Sequence, residues 1–340
     1  MPIILDYLVD NDPVPSDYGE WDDDSDACSI LVPIDLINTP GTIASIISDV
    51  SELAEDTNPL WASGTTYTGD QIVYKGNRVY AATGKAGNTN KDPAVLTNQV
   101  NPDGTDNFWV DIGPTNRSAM FDGLISTPTS AASPLRITLT PGAFNGFELF
   151  GIDADTYEVV VKDAPGGNII YSEPVTALEG SMPSDYYEYF FDRFKPLTQF
   201  LRSGIEPYGS AEITLTLRKT TGNVKLGMFA IGDFKPVGIP QRDATVSPGT
   251  FTYFKQDAYG NATIKKRPNA TSMTLSCVLP IEEANTIKAT IDEISATPVV
   301  VAGSEAAMYE WMTVFGLVTA DITPVPYPYC TIKLSVKGFI

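Results

Sequence analysis

The sequence predicts a mainly β, multidomain protein. With 340 residues the chain is too long for one ordinary hydrophobic core, and 43% of its residues are apolar, as in globular domains. Short runs of β-branched and aromatic residues recur along most of the chain, separated by turns rich in Gly, Pro, Asn and Asp. The best helical pattern covers only residues 280–297. We therefore expect antiparallel sheets with little helix.

Residues 1–58 are predicted to form an N-terminal docking segment. The acidic run Asp22–Asp26 could bind calcium, but it lacks the Gly and closing Glu of an EF-hand loop, so a solvated loop is expected and no metal site is predicted. Residues 27–41 contain a short strand. The apolar residues that follow recur at steps of three and four, which favours a short helix, but their β-branched side chains leave an extended strand as the alternative. These residues are Ile43, Ile46, Ile47, Val50 and Leu53.

Residues 59–113 change character and are predicted to form a small β module. Alternating runs flank a two-residue turn at Gly76-Asn77, which is the chemistry of a tight hairpin. A long loop rich in Gly, Asn, Asp and Pro leads to a last strand at residues 108–113.

Residues 114–240 are predicted to form an antiparallel β-sandwich of the jelly-roll type, because many short strands follow one another with no regular helix between them. One aromatic stretch departs from this pattern, with rings on every side of any helix. Such a stretch must be buried on more than one face or must contact another chain, and packing over the end of its own sandwich is the alternative to a partner contact. Its rings are Tyr186, Tyr187, Tyr189, Phe190, Phe191 and Phe194.

Residues 241–340 are predicted to form a small α+β domain. A hairpin is expected around residues 258–261. A helix is expected to start at Pro280, since Glu282 and Glu283 suit the positive end of a helix dipole. Its apolar stripe consists of Ile281, Ala284, Ile287, Ile291 and Ile294.

Charge and composition exclude several functional classes. Forty-two acidic residues against 22 basic ones give a net charge of −20, which repels phosphate backbones, so nucleic acid and anionic membrane surfaces are not expected partners. The absence of histidine removes Ser-His-Asp and Cys-His catalysis and most transition-metal sites. Paired carboxylates remain possible, but no spacing singles out a pair. We therefore predict no enzymatic activity, no metal and no cofactor.

Cysteine usage and hydropathy indicate a protein made in a reducing cytoplasm. Cys28, Cys277 and Cys330 are far apart and show no CxxC spacing, so buried free thiols are expected instead of a zinc site or a disulfide. No apolar stretch approaches the roughly 20 residues of a membrane span, and no basic residue precedes the first apolar run, as it would in a secretory signal.

The order of aromatic and turn residues in the small module resembles the type-3 chitin-binding fold, a three-stranded carbohydrate-binding module. The shared pattern has a first Trp, an aromatic, Gly-Asp, Val-Tyr, Tyr-x-Ala and a final Trp. This resemblance implies a sugar-binding role for Trp61, Tyr67, Tyr74, Tyr80 and Trp109. A core role is the alternative, and it is favoured for Trp61, Tyr80 and Trp109, which lie within or beside apolar runs.

The stretch "FWVDIGPTNRSAMFDGLISTPT" (residues 108–129) resembles a junction in virion proteins of tailed bacteriophages and prophages, where the same module leads into a galactose-binding-like β-sandwich. The resemblance extends in order over residues 50–340. It implies a structural component of the virion tail, baseplate or adhesion device, which docks to other tail proteins and to copies of itself and can contact host-surface polysaccharide. Two alternatives stay open: a virion-associated polysaccharide hydrolase with a carboxylate pair, and a purely architectural protein.

Overall fold

The computed structural model describes residues 27–100, 107–178, 197–241, 243–256, 262–265, 269–304, 307–325 and 327–339. The acidic run Asp22–Asp26 and the aromatic residues 186–194 lie outside these residues. Within them the chain forms several antiparallel sheets and one α-helix. This confirms the predicted mainly β, multidomain fold class.

The strands of the first half of the chain are β1 (Cys28–Pro33), β2 (Ile43–Ser48), β3 (Ser51–Glu52), β4 (Ile72–Lys75), β5 (Arg78–Ala82), β6 (Trp109–Pro114), β7 (Thr129–Ala131), β8 (Leu135–Leu139), β9 (Gly146–Phe150), β10 (Thr156–Lys162) and β11 (Ile169–Ala177). Those of the second half are β12 (Gln199–Arg202), β13 (Glu212–Arg218), β14 (Val224–Leu226), β15 (Met228–Pro240), β16 (Thr245–Thr250), β17 (Tyr253–Gln256), β18 (Ala262–Lys265), β19 (Asn269–Pro280), β20 (Val299–Ala302), β21 (Thr313–Pro324) and β22 (Tyr329–Gly338). The helix α1 spans Ala284–Ile294, and short 3-10 turns lie at Leu96–Asn98, Ala119–Phe121 and Ala307–Met312.

A β-sandwich occupies the middle of the chain. One sheet has the strand order β11-β10-β13-β8-β2-β3, and it faces strands β12, β9 and β15 of a second, nine-stranded sheet. Inward residues alternate along the strands of both sheets, so Ile137 and Val159 from one sheet meet Phe147 and Phe200 from the other. The small β7–β14 sheet contributes Ala131 and other side chains to the same core.

The stretch from Ile43 to Ser48 is strand β2, so the short helix favoured by its three- and four-residue steps is wrong. Ile46 is fully buried and lies opposite Ile137 of β8. Val50, which the helical pattern placed on the apolar stripe, is exposed in the turn that follows. Branched side chains fit a pleated sheet better than a helix, and pairing with β8 decides between the two.

Strand β15 joins the sandwich to a closed β-barrel. The strands β15, β1, β20, β21, β22 and β19 are paired in this order, and β19 pairs again with β15 at Ile239–Val278 and Pro240–Cys277. All these pairings are antiparallel, so the six strands form a ring. Apolar side chains fill the inside of this ring, as expected for a small barrel.

The helix α1 packs onto the barrel core through Ile287, Ile291 and Ile294, which confirms most of the predicted stripe. Ile281 is an exception, because it precedes the helix and is exposed. Pro280 is the last residue of β19, so the helix begins four residues later than the sequence indicates.

The three cysteines are buried and free, as predicted. Cys28, Cys277 and Cys330 all belong to the barrel core. Burial raises the pKa of the Cys330 thiol, which donates to the carbonyl oxygen of Leu279.

The described part of the segment 1–58 contributes strands to both larger units. β1 lies between β15 and β20 in the barrel, whereas β2 and β3 complete one edge of the sandwich. The nine-stranded sheet also runs without a break across the domain boundary predicted at residue 240. Pairing partners of this kind are distant in sequence, and composition does not reveal them.

Two hairpins occur where turn chemistry predicts them. In the small module, β4 and β5 pair across Gly76-Asn77, with Lys75 opposite Arg78, and β6 adds the third strand of the sheet. In the second half, β17 and β18 pair on either side of residues 257–261.

Candidate functional site

The five rings chosen from the sequence lie in the three-stranded module, but they do not share one surface. Trp109 is fully buried, Tyr80 is 4% exposed and Tyr67 is 9% exposed, and with Val73 and Ala82 they form the module's core. Trp61 packs at the edge of this core and is partly buried. Tyr74 is partly buried, and it lies on the opposite face of β4 because its neighbour Val73 points inward.

The polar atoms of the core rings hold the module's loops. The indole Nε1 of Trp109 donates to the carbonyl oxygen of Lys91 at 2.7 Å. The Tyr67 hydroxyl accepts from the amide of Ala62 at 2.8 Å, and its ring meets Trp109 edge-on with a centroid distance of 5.1 Å. Burial raises the pKa of Tyr80. A module this small has few other side chains with which to fill a core, so these rings stabilise the fold.

Trp61 is engaged by a cation on one face of its ring. The Nζ atom of Lys75 lies 4.4 Å from the ring centroid and forms an ion pair with Asp92. Burial opposes ionisation of Asp92, but hydrogen bonds from Lys75 and the amide of Ala94 lower its pKa below the usual value. A sugar ring stacked on this face of Trp61 would have to displace the Lys75 ammonium.

An exposed aliphatic strip lies beside Tyr74 on the outer face of the module. We define it as Leu60, Ile72 and Val110, which are all exposed. Ile72 and Val110 flank Ala81 in adjacent strands, and Leu60 bridges to Tyr74. The alternation of Ile72 with Val73 and of Val110 with Trp109 could have revealed this strip in the sequence.

The start and the end of the module are fastened to each other. The Thr115 hydroxyl donates to Glu55 Oε1 at 2.6 Å, and the Asn116 amide donates to Asp56 Oδ2 at 2.9 Å. The Asn116 side chain then donates to and accepts from the backbone of Ser130 in β7. The module is thereby attached to the sandwich by hydrogen bonds as well as by the chain.

A charged cluster bridges the two sandwich sheets at one edge. Arg202 of β12 donates to Glu173 of β11 and, at 2.9 Å, to the hydroxyl of Tyr157. Tyr171 also donates to Glu173. Burial works against the ionised form of Glu173, but hydrogen bonds from Tyr157, Tyr171 and Arg202 together lower its pKa, so it stays a carboxylate. An ionised carboxylate held by these hydrogen bonds suits a structural bridge and not a proton donor.

The β17–β18 hairpin presents apolar side chains to solvent. Phe254 and Ile264 lie directly opposite each other and are each 61% exposed. Tyr253 and Lys265 form the next pair, on the other face of the ribbon, and all eight strand residues are exposed. The turn residues predicted the hairpin but not its exposed apolar surface. The positions of Phe254 and Ile264 on either side of the turn could have indicated that these two side chains lie opposite each other.

No protein-family model, curated protein or solved structure matches this chain. The resemblance to phage virion proteins therefore stays a prediction, and the functional argument rests on the surfaces described above. In the part of the chain that the structure describes, no helix has the length and apolar character needed to cross a membrane. In the same residues, no three side chains of His, Cys, Asp or Glu come together as a metal-binding group.

The aromatic residues predicted to contact a partner, Tyr186 to Phe194, lie outside the described residues. The strands before and after them, β11 and β12, are the edge strands of the two facing sandwich sheets. Their role as partner contacts stays a prediction.

Proposed function

We propose that this protein is a non-catalytic structural component of a tailed-phage virion, in the tail, baseplate or adhesion device, and that it assembles with copies of itself. The phage setting rests on the sequence resemblance. The observation that supports assembly is the exposed β17–β18 hairpin. A two-stranded ribbon is marginally stable in water without a covering element.

The hairpin has two chemically different faces. Phe254 and Ile264 give one face an apolar centre, whereas Lys255 and Lys265 lie on the other face with Tyr253. Exposed apolar pairs of this kind on a protruding element are typical of docking surfaces.

Charge favours a second copy of this chain as the partner. Residues 251–269 contain four basic side chains and one acidic side chain, in a chain with a net charge of −20. The hairpin is thus a basic element on an acidic protein, and opposite charges steer it toward another copy's surface. The region of α1 shows this acidity, because Asp292 and Glu293 on the helix and Glu282 and Glu283 just before it are all exposed.

The apolar contribution is moderate for one hairpin. Full burial of a Phe or Ile side chain is worth roughly 1.5–3 kcal/mol. Phe254 and Ile264 are each 61% exposed, so covering both contributes roughly 2–4 kcal/mol. A closed ring of copies repeats this contact, and each added contact benefits from the high effective concentration of the others.

The test is the oligomeric state of the full-length protein, measured by light scattering coupled to size exclusion. We expect concentration-dependent oligomers that dissociate when salt is raised, since screening weakens the charge contribution. The double variant Phe254→Ser/Ile264→Ser should be monomeric. Ile169→Ser/Val175→Ser is the matched control, because both side chains are exposed on the edge strand β11, and it should assemble like the wild type. A monomeric wild-type protein, or a hairpin variant that assembles normally, would refute the proposal.

Contact with host-surface glycan is a second part of the proposal, and we assign it to Tyr74. Among the five rings, Tyr74 points away from the module core and carries no cation on its face among the described contacts. Binding of the full-length protein to a glycan array should fall in Tyr74→Phe or Tyr74→Ala and stay unchanged in Leu60→Ala. Equal binding by all four proteins would exclude Tyr74 as the contact.

A further inference from the structure

We propose that the crevice between the β-sandwich and the β-barrel is a binding site for a neutral, hydroxyl-rich ligand of the size of a mono- or disaccharide. The cavity has a volume of about 360 Å³. Phe150 of β9 and Gln199 of β12 line it on the sandwich side. β19, β21, the last residue of β22 (Gly338) and the next residue, Phe339, line it on the barrel side. Its volume falls within the usual range of roughly 300–1,000 Å³ for small-molecule sites.

Three rings form one wall of the crevice. Phe315 of β21 stands between the other two, with centroid distances of 6.3 Å to Phe150 and 6.1 Å to Phe339. All three rings line the cavity. Phe150 and Phe315 are each 3% exposed, so the partly exposed Phe339 is the ring that presents its surface to a ligand. A pyranose packs its apolar C–H face on such a ring through dispersion and burial of apolar area.

A buried hydroxyl group lies on the same strand face as the central ring. Thr313 and Phe315 are two residues apart on β21, so both side chains point to the outside of the barrel, where they line the crevice. Thr313 is 5% exposed, and its Oγ1 atom has no hydrogen-bond partner among the described residues. An unsatisfied buried hydroxyl costs about 1–3 kcal/mol, which a ligand hydroxyl in the crevice would recover.

The remaining polar groups are neutral and suit hydroxyl recognition. Asn269 and Thr271 of β19 line the barrel side, and Ser126 lines the sandwich side. None of the described lining residues is ionisable, although the chain contains 42 acidic and 22 basic residues. A charged ligand would be desolvated in the crevice without an opposite charge, whereas a neutral polyol would find both donors and acceptors.

This site is independent of the hairpin and of Tyr74. It combines residues of two units whose relative position is fixed by the continuous strands β15 and β1, so its walls are positioned by the sheet itself. No single stretch of sequence contains the site, because the cavity draws on residues from 125 to 339.

The test is saturation-transfer NMR on the full-length protein with D-glucose, D-galactose and N-acetyl-D-glucosamine as separate probes, and with D-glucuronate as the charged comparison. We expect at least one neutral sugar to receive saturation and glucuronate to receive little. Thr313→Val keeps the side-chain shape and removes the hydroxyl, so affinity for the neutral sugar should fall about 5–150-fold, the equivalent of the roughly 1–3 kcal/mol given above. Thr323→Val is the matched control, since Thr323 is exposed on the same strand, and it should bind like the wild type.

A second variant protects the test against a folding defect in Thr313→Val. Asn269→Ala removes an exposed amide at the mouth of the crevice and should also weaken binding, with an unchanged thermal transition. The proposal is overturned if none of the three neutral sugars receives saturation, or if both variants bind as the wild type does. It is equally overturned if Tyr74→Ala abolishes the signal, because the sugar would then lie on the module.

Discussion

Closure of the barrel at the β15–β19 pair can be tested at Gly238. This residue precedes the closing pair Ile239–Val278 and lies opposite Cys28 of β1, where the pairing register shifts. Its φ is +146°, in the region that side chains other than Gly rarely adopt. A Cβ atom placed on Gly238 would lie 2.7 Å from the carbonyl oxygen of Val278 and 3.3 Å from Cβ of Leu279. Gly238→Ala should therefore separate β15 from β19.

The expected cost of Gly238→Ala has two parts. Forcing a non-glycine residue into such a conformation costs about 1–3 kcal/mol. The contact with the Val278 carbonyl adds to this cost, because that oxygen belongs to backbone that the barrel holds in place and the new Cβ is fixed to the backbone of β15. In a unit of this size each kcal/mol lowers the melting temperature by about 2–4 °C, so a decrease of about 4–10 °C is expected.

Two glycine controls separate the causes. Gly222 has a φ of +82° and no atom within 4 Å of the point that a Cβ would occupy, so Gly222→Ala reports the backbone conformation alone. Gly209 has an ordinary φ and equally open surroundings, so Gly209→Ala should change stability by less than about 0.5 kcal/mol. Thermal unfolding ranks the three variants, and amide hydrogen exchange at Ile239, Cys277 and Val278 should accelerate only in Gly238→Ala. Equal melting temperatures for Gly238→Ala and Gly209→Ala would refute closure at this pair.

Two further predictions concern the sandwich edge and the small module. The pKa of the Glu173 carboxyl is lower in the folded state than in the unfolded chain. The ionised carboxylate therefore contributes its full stabilisation at pH values above the ordinary glutamate pKa of about 4.3, and this stabilisation is lost as the pH falls through the lower pKa of the folded state. Glu173→Gln should be less stable than the wild type at pH 7 by about 1.5–3 kcal/mol, and this difference in unfolding free energy should shrink as the pH is lowered. A difference that stays constant across an acid titration would contradict the ion pair between Glu173 and Arg202. Trp109→Ala should lower the stability of the small module by about 3–5 kcal/mol and unfold it, because Trp109 is fully buried. Limited proteolysis should then cleave within residues 59–113 and leave the sandwich and barrel intact. The control variant Tyr74→Ala should stay resistant to the protease.

Several local features were predictable from the sequence because short-range chemistry determines them. The turn at Gly76-Asn77 joins β4 to β5, since Gly76 adopts a φ of +62° that such a turn requires. The stripe Ile287, Ile291 and Ile294 placed α1, and the isolated cysteines indicated free thiols. The core role favoured for Tyr80 and Trp109 from their position in apolar runs is confirmed, whereas Trp61 only packs at the edge of the core and Tyr67, which lies in no such run, belongs to it.

The candidate binding surfaces were harder to predict from the sequence. Alternation along β4 shows that Val73 and Tyr74 point to opposite faces, but it does not show that Lys75 covers Trp61. The spacing around Ile46 fitted a helix as well as a strand, and contact with Ile137 of β8 resolved the ambiguity. A residue pattern indicates which face of one strand or helix is buried, but the element that packs against this face depends on the complete tertiary structure.

By itself, the sequence determined the mainly β class, the tight hairpins, the helix and the reduced thiols, because each depends on neighbours a few residues away. Only the tertiary structure decided that β1 enters the barrel, that β15 is shared by two units and that residues from 125 to 339 meet in one crevice. Strand pairing joins backbone N–H and C=O groups, which almost all residue types share. The choice of a partner strand that is distant in the chain therefore leaves no distinctive residue pattern in the sequence. The arrangement is selected by the combined packing of all strands.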